Sequence, residues 1–476
     1  MIFSSLEFLF LFLPIVLLLV AIWKNTTYQN SILFISSLLF YAWGGVSYTL
    51  IMICSIVINY VAGRLIGSSA KKKLWLVLAI ILNLGSLAFF KYFNFLVDNY
   101  NVLISVFKIS PVTVTKVILP IGISFYTFQG LSYLVDVYRK TVEPQRNFIK
   151  LGTYIALFPQ LIAGPIIRYN EIEHQLTQRK FNVTNLYDGI KRFMFGLARK
   201  VLIANQIAAM VDEIFSRSPG EIPMLTAWIG ILGYTLQVYH DFAGYSDMAI
   251  GLGKMFGFNF PENFNYPYLA KSIGQFWQRW HITLSTWFKN YLYFPLGGSR
   301  CSPLRVYLNL FIVFFCTGLW HGASWNFVIW GLIHGIFLVF ERMGLNRLLS
   351  KSFGFVQRFY ALFVIVLSRV FFRADDLTTA INYMKTLFGG SSPTISNLYF
   401  YRYFSIDFII IVIVAILSST KFFEIINNQV NKLAQKYVFM FHLKHIFIIL
   451  GIIFVLFIVI NQLVLGSYNP FIYYRF

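Results

Sequence analysis

The chain has 476 residues, of which 58% are hydrophobic and only 12% charged, whereas soluble domains carry about 25% charged residues. No water-soluble fold hides that much apolar surface, which leaves a polytopic membrane protein. The formal net charge of +21 does not point to nucleic acid, because the basic residues are scattered between apolar segments instead of gathering on one soluble domain.

Residues 6–23 form the first apolar stretch. It is predicted to remain as an anchor, since no Lys or Arg precedes it and no small-residue cleavage site follows before Lys24. Residues 74–90, 360–372 and 445–465 are further long runs almost free of charge, and about ten to twelve such segments approach the roughly 20 residues that span a bilayer. Arg64, Lys71, Lys72 and Lys73 make one basic loop, and Arg139, Lys140, Arg146 and Lys150 another. The positive-inside rule places both loops in the cytoplasm and, counting back two spans, the N-terminus outside.

Two central stretches, 118–124 (ILPIGIS) and 157–165 (LFPQLIAGP), carry Pro and Gly where a plain spanning helix avoids them. Irregular backbone at membrane depth is tolerated only inside protein or beside a wet cavity. Both are therefore predicted as broken or re-entrant segments around an internal site; a pair of kinked helices is the plainer alternative. From 261 to 298, Trp277, Trp280, Trp287 and Tyr293 mix with Lys271, Arg279 and Lys289. That mixture suits the headgroup layer, so this segment is expected along an interface, with a solvated amphipathic linker as the alternative. The predicted fold is all-α: ten to twelve transmembrane or re-entrant helices around a central cavity, with interfacial amphipathic helices, in one domain over 1–476 that shows no internal repeat.

Ionisable groups inside apolar segments are costly and mark function by default. Three clusters stand out: 237–247 with His240, Asp241 and Asp247, 275–281 with Arg279, Trp280 and His281, and 318–325 with Trp320, His321 and Ser324. His321 is the sharpest. Apolar runs lie on both sides of it, so the imidazole is expected at depth between Trp320 and Trp325, where desolvation keeps it neutral and able to take a proton. It reads as a general base for a hydroxyl, or as a helix-to-helix hydrogen-bond partner. His334 reads as packing, and His174, His442 and His445 as solvated. The histidines are too far apart in sequence for the dense clusters of membrane di-iron enzymes. Cys54, Cys301 and Cys316 give neither a disulfide framework nor a metal spacing, and no P-loop, GxGxxG or GxSxG is present. No metal and no bound cofactor are expected.

At these clusters the sequence resembles the membrane-bound O-acyltransferases, within them the alginate O-acetyltransferase AlgI branch, related to the D-alanyl transfer protein DltB. The matching stretches are FPQLIAGPI at 158–166, YHDFAGYSDMAIGLGKMFGFNFPENFNYPY from Tyr239, FWQRWHITLSTWFKNYLYFPLGG from Phe276 and GLWHGASWNFVIWGLIHG from Gly318. They cover roughly 118–340 in the family order, leaving C-terminal helices and an aromatic tail over 355–476. The resemblance implies a transferase in the bacterial inner membrane that takes acetyl from a cytoplasmic thioester, acetyl-CoA, for O-acetylation of an extracytoplasmic polysaccharide, through an extracytoplasmic acetyltransferase partner and among membrane lipids. It also implies that His321 matches the catalytic histidine and His281 the second family histidine.

On that reading the protein positions an activated thioester, deprotonates an acceptor hydroxyl and stabilises the oxyanion. His281, Trp280, Asn326 or Ser324 would orient the acceptor or hold the oxyanion. Asp241 and Asp247 would wall the cavity or join helices by hydrogen bonds. Arg279 and Lys289 would meet coenzyme A phosphates or lipid headgroups. The tail FIYYRF at 471–476 resembles the family's aromatic hexapeptide, which makes Tyr473 an acyl-carrier candidate, with an interfacial anchor as the alternative. The rivals from other classes are a transporter of a sugar or lipid, which broken helices also suit, and a non-catalytic scaffold.

Overall fold

The computed structural model describes residues 1–390, 392–394 and 403–465, and these are helical throughout their ordered elements, with no strand among them. After a π-helical turn at Phe8–Phe12 come α1 (Leu13–Ile22), α2 (Thr26–Ala42), α3 (Val46–Ser68) and α4 (Lys72–Ser105). Asn25 starts α2 by accepting the backbone N–H groups of Thr27 and Tyr28. Next are α5 (Ile123–Tyr138), α6 (Phe148–Ala156), α7 (Phe158–Leu161), α8 (Tyr169–Ile172) and α9 (Val183–Ala198), then α10 (Asn205–Phe215) and α11 (Met224–Met255). The short α12 (Ile273–Trp277) and α13 (Ile282–Phe288) precede α14 (Pro303–His321), α15 (Trp325–Phe340), α16 (Asn346–Leu349), α17 (Gly354–Arg373) and α18 (Leu377–Leu387). The chain ends its described part with α19 (Ile406–Ser418), α20 (Phe422–Lys436) and α21 (Val438–Val464).

Among the described residues seven helices are long and apolar enough to cross a membrane, or up to eight if α19 and α20, bent by 72°, count as one span. Of the other apolar segments, the shorter helix Phe8–Ile22 exposes one side, whereas others are enclosed by protein. α11 is the clearest: every residue from Gln237 to Gly253 is buried, so its polar side chains meet other helices and not lipid. α5 is buried along almost its whole length as well.

α9 and α11 pack backbone to backbone. Gly189 and Gly196 on α9 face Gly251 and Gly244 on α11, and a methyl added at any of the four would lie 2.5–2.8 Å from the facing helix. Small residues at matched spacing let two helices approach closely where lipid supplies no hydrophobic drive. The same interface carries buried charge: Lys200 pairs with Asp241 at 2.7 Å and Arg199 with Asp247 at 2.9 Å. Both cations belong to the π-helical turn Arg199–Ala204 between α9 and α10, so the ion pairs clamp that turn to α11.

The two Pro/Gly stretches are broken, as expected, and they meet. Gly122 sits at φ +77 ahead of α5, and its Cα faces the carbonyl of Leu161 so closely that a Cβ would lie 2.6 Å from that oxygen. Only glycine combines this left-handed backbone with that approach. Residues 157–164 are buried in protein, which satisfies the requirement for irregular backbone at depth.

The segment 261–298 is divided between buried rings and exposed basic tips. Trp277, Trp280 and Trp287 are all buried, with Trp287 stacked on Phe128 of α5 at a centroid distance of 3.7 Å, while Tyr293 is half-buried and Lys271 and Lys289 are exposed. Trp280 is met from α17 by Arg369, whose guanidinium lies 4.3 Å over its ring.

Candidate active site

His321 is the last residue of α14 and is 3% exposed. A helix leaves its final carbonyls without intrahelical partners, and α4 supplies them: the Tyr92 hydroxyl donates to the Leu319 carbonyl at 2.7 Å and the Lys91 ammonium to the Trp320 carbonyl. A cation at a helix C-terminus also suits the macrodipole. The chain turns at Gly322 and re-enters as α15, so the imidazole is boxed by rings: Trp330 at 4.8 Å, Phe372 at 5.2 Å and Trp320 at 4.9 Å, each edge-on.

The expected flank was Trp325, and the structure corrects it. Trp325 opens α15 on the outside, 52% exposed, with its Nε1 donating to Asn99 Oδ1 at 2.9 Å. Trp330 is five residues further on. At 3.6 residues per turn that is about 140° around the helix, which carries it to the inner face.

His281 comes to the same place from the other side. Its ring is fully buried and lies edge-on to the Trp320 indole with centroids 5.7 Å apart, so the two imidazoles flank one tryptophan. Its backbone is left-handed, φ 45 and ψ 54, a conformation that costs a non-glycine residue roughly 1–2 kcal/mol and that surrounding structure must impose. Asn263 imposes it. Its carbonyl accepts the Ile282 N–H at 3.0 Å, and its Oδ1 accepts from Thr283 Oγ1 at 2.9 Å and lies 3.1 Å from His281 Nδ1. Since Oδ1 only accepts, Nδ1 carries the proton and the other nitrogen, Nε2, keeps its lone pair. Nε2 is buried and has no hydrogen-bond partner among the described residues.

His321 opens on a cavity of about 100 Å³ lined by Lys91, the broken stretch 119–125, Ile162 and Trp320. A larger apolar cleft of about 420 Å³ lies between α4, α5, α13 and α14 and extends to Val135 and Tyr291. Trp320 belongs to both linings. At the far end of the cleft Tyr291 donates to Asp136 at 2.9 Å, and Arg139 packs 5.5 Å over its ring.

The other sequence candidates are dispersed. Trp280 is buried beneath Arg369. Asn326 donates to the Ala374 carbonyl at 2.9 Å and so ties α15 to the end of α17. Ser324 is half-buried at the start of α15, where it caps nothing. Asp241 is ion-paired to Lys200 and does not line the cavity. Arg279 donates to the Asn265 carbonyl at 3.2 Å, and Lys289 is exposed, 5.6 Å over Phe294. Tyr473 lies outside the described residues. His334, read as packing, is buried with Nε2 3.1 Å from Ser368 Oγ. Sequence reasoning missed Lys91, Ser124 and Asn263; for Lys91 the available signal was a lone cation inside an apolar run.

The profile of the membrane-bound O-acyltransferase family matches residues 139–378. "Probable alginate O-acetylase AlgI" of Pseudomonas aeruginosa is 42% identical over 406 residues, 84% of this chain and 77% of that protein. The peptidoglycan O-acetyltransferase of Helicobacter pylori is 37% identical over 437 residues, 84% and 82% of the two chains. The teichoic acid D-alanyltransferase of Bacillus subtilis is 29% identical over 229 residues, 46% and 58% of the two. A buried histidine at the wall of a small cavity, with a second across Trp320 from it, is thus set in a chain that belongs to the membrane-bound O-acyltransferase family. It is a multi-pass membrane O-acyltransferase.

Proposed function

We propose that this protein takes an acetyl group from a cytoplasmic thioester, acetyl-CoA, and passes it across the bacterial inner membrane for O-acetylation of an extracytoplasmic polysaccharide, with an extracytoplasmic acetyltransferase partner completing the delivery. The observation that carries the reading is His321 at the wall of a cavity of about 100 Å³, enough for an acetyl-sized group. His321 takes the proton of the acceptor hydroxyl. The Nε2 lone pair of His281 accepts a hydrogen bond that orients the acceptor. Two further features support the direction of transfer. The apolar cleft runs from Trp320 toward Tyr291 and Arg139, beside the basic loop that the positive-inside rule assigns to the cytoplasm. The relatives named for acetyl transfer align along most of both chains.

The test is mass spectrometry of the purified protein in nanodiscs after exposure to deuterated acetyl-CoA. Release of free coenzyme A together with a labelled acetyl group on protein or acceptor is expected. An intact thioester pool would refute acetyl transfer and favour transport without chemistry.

A further inference from the structure

α4 is largely lipid-facing, with only 17% of its apolar window buried, yet Lys91 on this helix is 8% exposed and points inward. Its Nζ donates to Ser124 Oγ at 3.3 Å and to the Trp320 carbonyl, and it lies 5.8 Å from the centre of the Trp320 ring. It lines the same cavity as His321. An ammonium has three N–H donors, so two go to neutral acceptors and one remains for the cavity. Among the described residues no carboxylate pairs with it, in contrast to Arg192, Arg199, Lys200 and Arg373, each of which has an acidic partner. The end of α14 offers only the partial negative charge of a helix terminus. A cation held at membrane depth on those terms is costly, and a negative charge that forms inside the cavity would offset that cost.

Resting on the acetyl-transfer reading, we propose that Lys91 is a catalytic residue whose ammonium binds the tetrahedral oxyanion of the transfer step. The acceptor hydroxyl gives its proton to His321 as its oxygen forms a bond to the thioester carbonyl carbon. The carbonyl π pair moves onto oxygen, and that oxyanion accepts the free Lys91 N–H. Collapse restores the C=O bond and breaks the C–S bond; the departing thiolate takes the proton back from His321, giving the acetyl ester and free thiol. Donors aimed at charge that develops only in the transition state are the ones that raise kcat.

A purely mechanical role, holding the Trp320 carbonyl, is the competing explanation, and substitution separates the two. Lys91→Gln keeps an N–H donor for that carbonyl and loses the charge; Lys91→Met loses both; Lys91→Arg keeps the charge. For the enzyme in nanodiscs with labelled acetyl-CoA, both neutral variants are expected to lose about 10²–10³-fold in kcat, the usual cost of one oxyanion donor, with KM for the thioester little changed and Lys91→Arg retaining more activity than Lys91→Gln. Wild-type kcat in Lys91→Gln overturns the proposal. Wild-type protein that consumes no acetyl-CoA overturns the transfer reading itself and the role of Lys91 with it. Should the neutral variants not fold, a structure of the wild-type protein with a trifluoromethyl ketone analogue of the thioester decides. An adduct oxygen within about 3.2 Å of Lys91 Nζ supports the proposal, and one held elsewhere ends it.

Discussion

The α9–α11 interface and the His321 cavity both bury cations within the membrane-embedded bundle, and they treat them differently. At the interface Lys200 meets Asp241 and Arg199 meets Asp247, all four side chains less than a tenth exposed. At the cavity Lys91 has a hydroxyl and a backbone carbonyl. Neutralised charge joins helices, and it is static: nothing further is required of it. Charge with only neutral acceptors is held ready for a partner that comes and goes. The contrast separates structural from chemical polarity inside one bundle, and it reassigns Asp241 from the cavity wall to the packing of helices.

Four substitutions test the contrast. The largest effect is expected for His321→Ala, which removes the proposed base and should cost on the order of 10²–10⁴-fold in acetyl transfer while insertion and purification stay normal; near-normal turnover would remove His321 from the chemistry. Asp241→Asn should act on stability instead. Stranding one member of a buried pair costs about 3–5 kcal/mol, read as a lower unfolding temperature in detergent, and the double replacement Lys200→Met with Asp241→Leu should recover most of it. If Asp241→Asn left stability intact and abolished transfer, the division between the two regions would be wrong. Gly244→Ala puts a methyl 2.8 Å from the Gly196 carbonyl, and overpacking of this kind costs about 1–3 kcal/mol, measurable in the same thermal assay with activity per folded molecule retained. The smallest change is expected from Trp325→Phe. It deletes one hydrogen bond to Asn99, worth roughly 0.5–1.5 kcal/mol, and should leave kcat unchanged, since Trp330 and not Trp325 encloses His321.

Much of this architecture is legible in the amino-acid sequence. Apolar run lengths announce the spans, Pro and Gly at 118–124 and 157–165 announce the broken segments, and the rarity of ionisable residues within apolar runs brings His281 and His321 forward. Lys91 is hidden by the same reasoning. An apolar run read residue by residue stops at 90, before the charge of Lys91, whereas α4 continues to Ser105 and Ser124 and the end of α14 receive the ammonium. Both partners are remote in sequence, so nothing local signals them. Asn263 is invisible for a related reason: its task is to hold a left-handed backbone at His281, and asparagines in loops are too common to stand out. The error over Trp325 came from treating neighbours in sequence as neighbours in space, when the turn at Gly322 and the start of a new helix reset which face looks inward.

The indole of Trp320 is common to the linings of the small cavity and the large apolar cleft, which makes it a partition one side chain thick. An enzyme working through an energised membrane has to be an insulator as well as a catalyst. Each elementary charge that crosses dissipates about 2.3 kcal/mol per 100 mV, so a continuous wet passage would short-circuit the cell. The partition is braced by Phe125 and Phe128 on one side, at 5.4 and 5.8 Å, and by His281 on another. Its carbonyl is pinned from α4. On the proposed reading, the tryptophan beside His321 would serve as a seal that lets an acyl group change hands while protons and ions stay on their own sides.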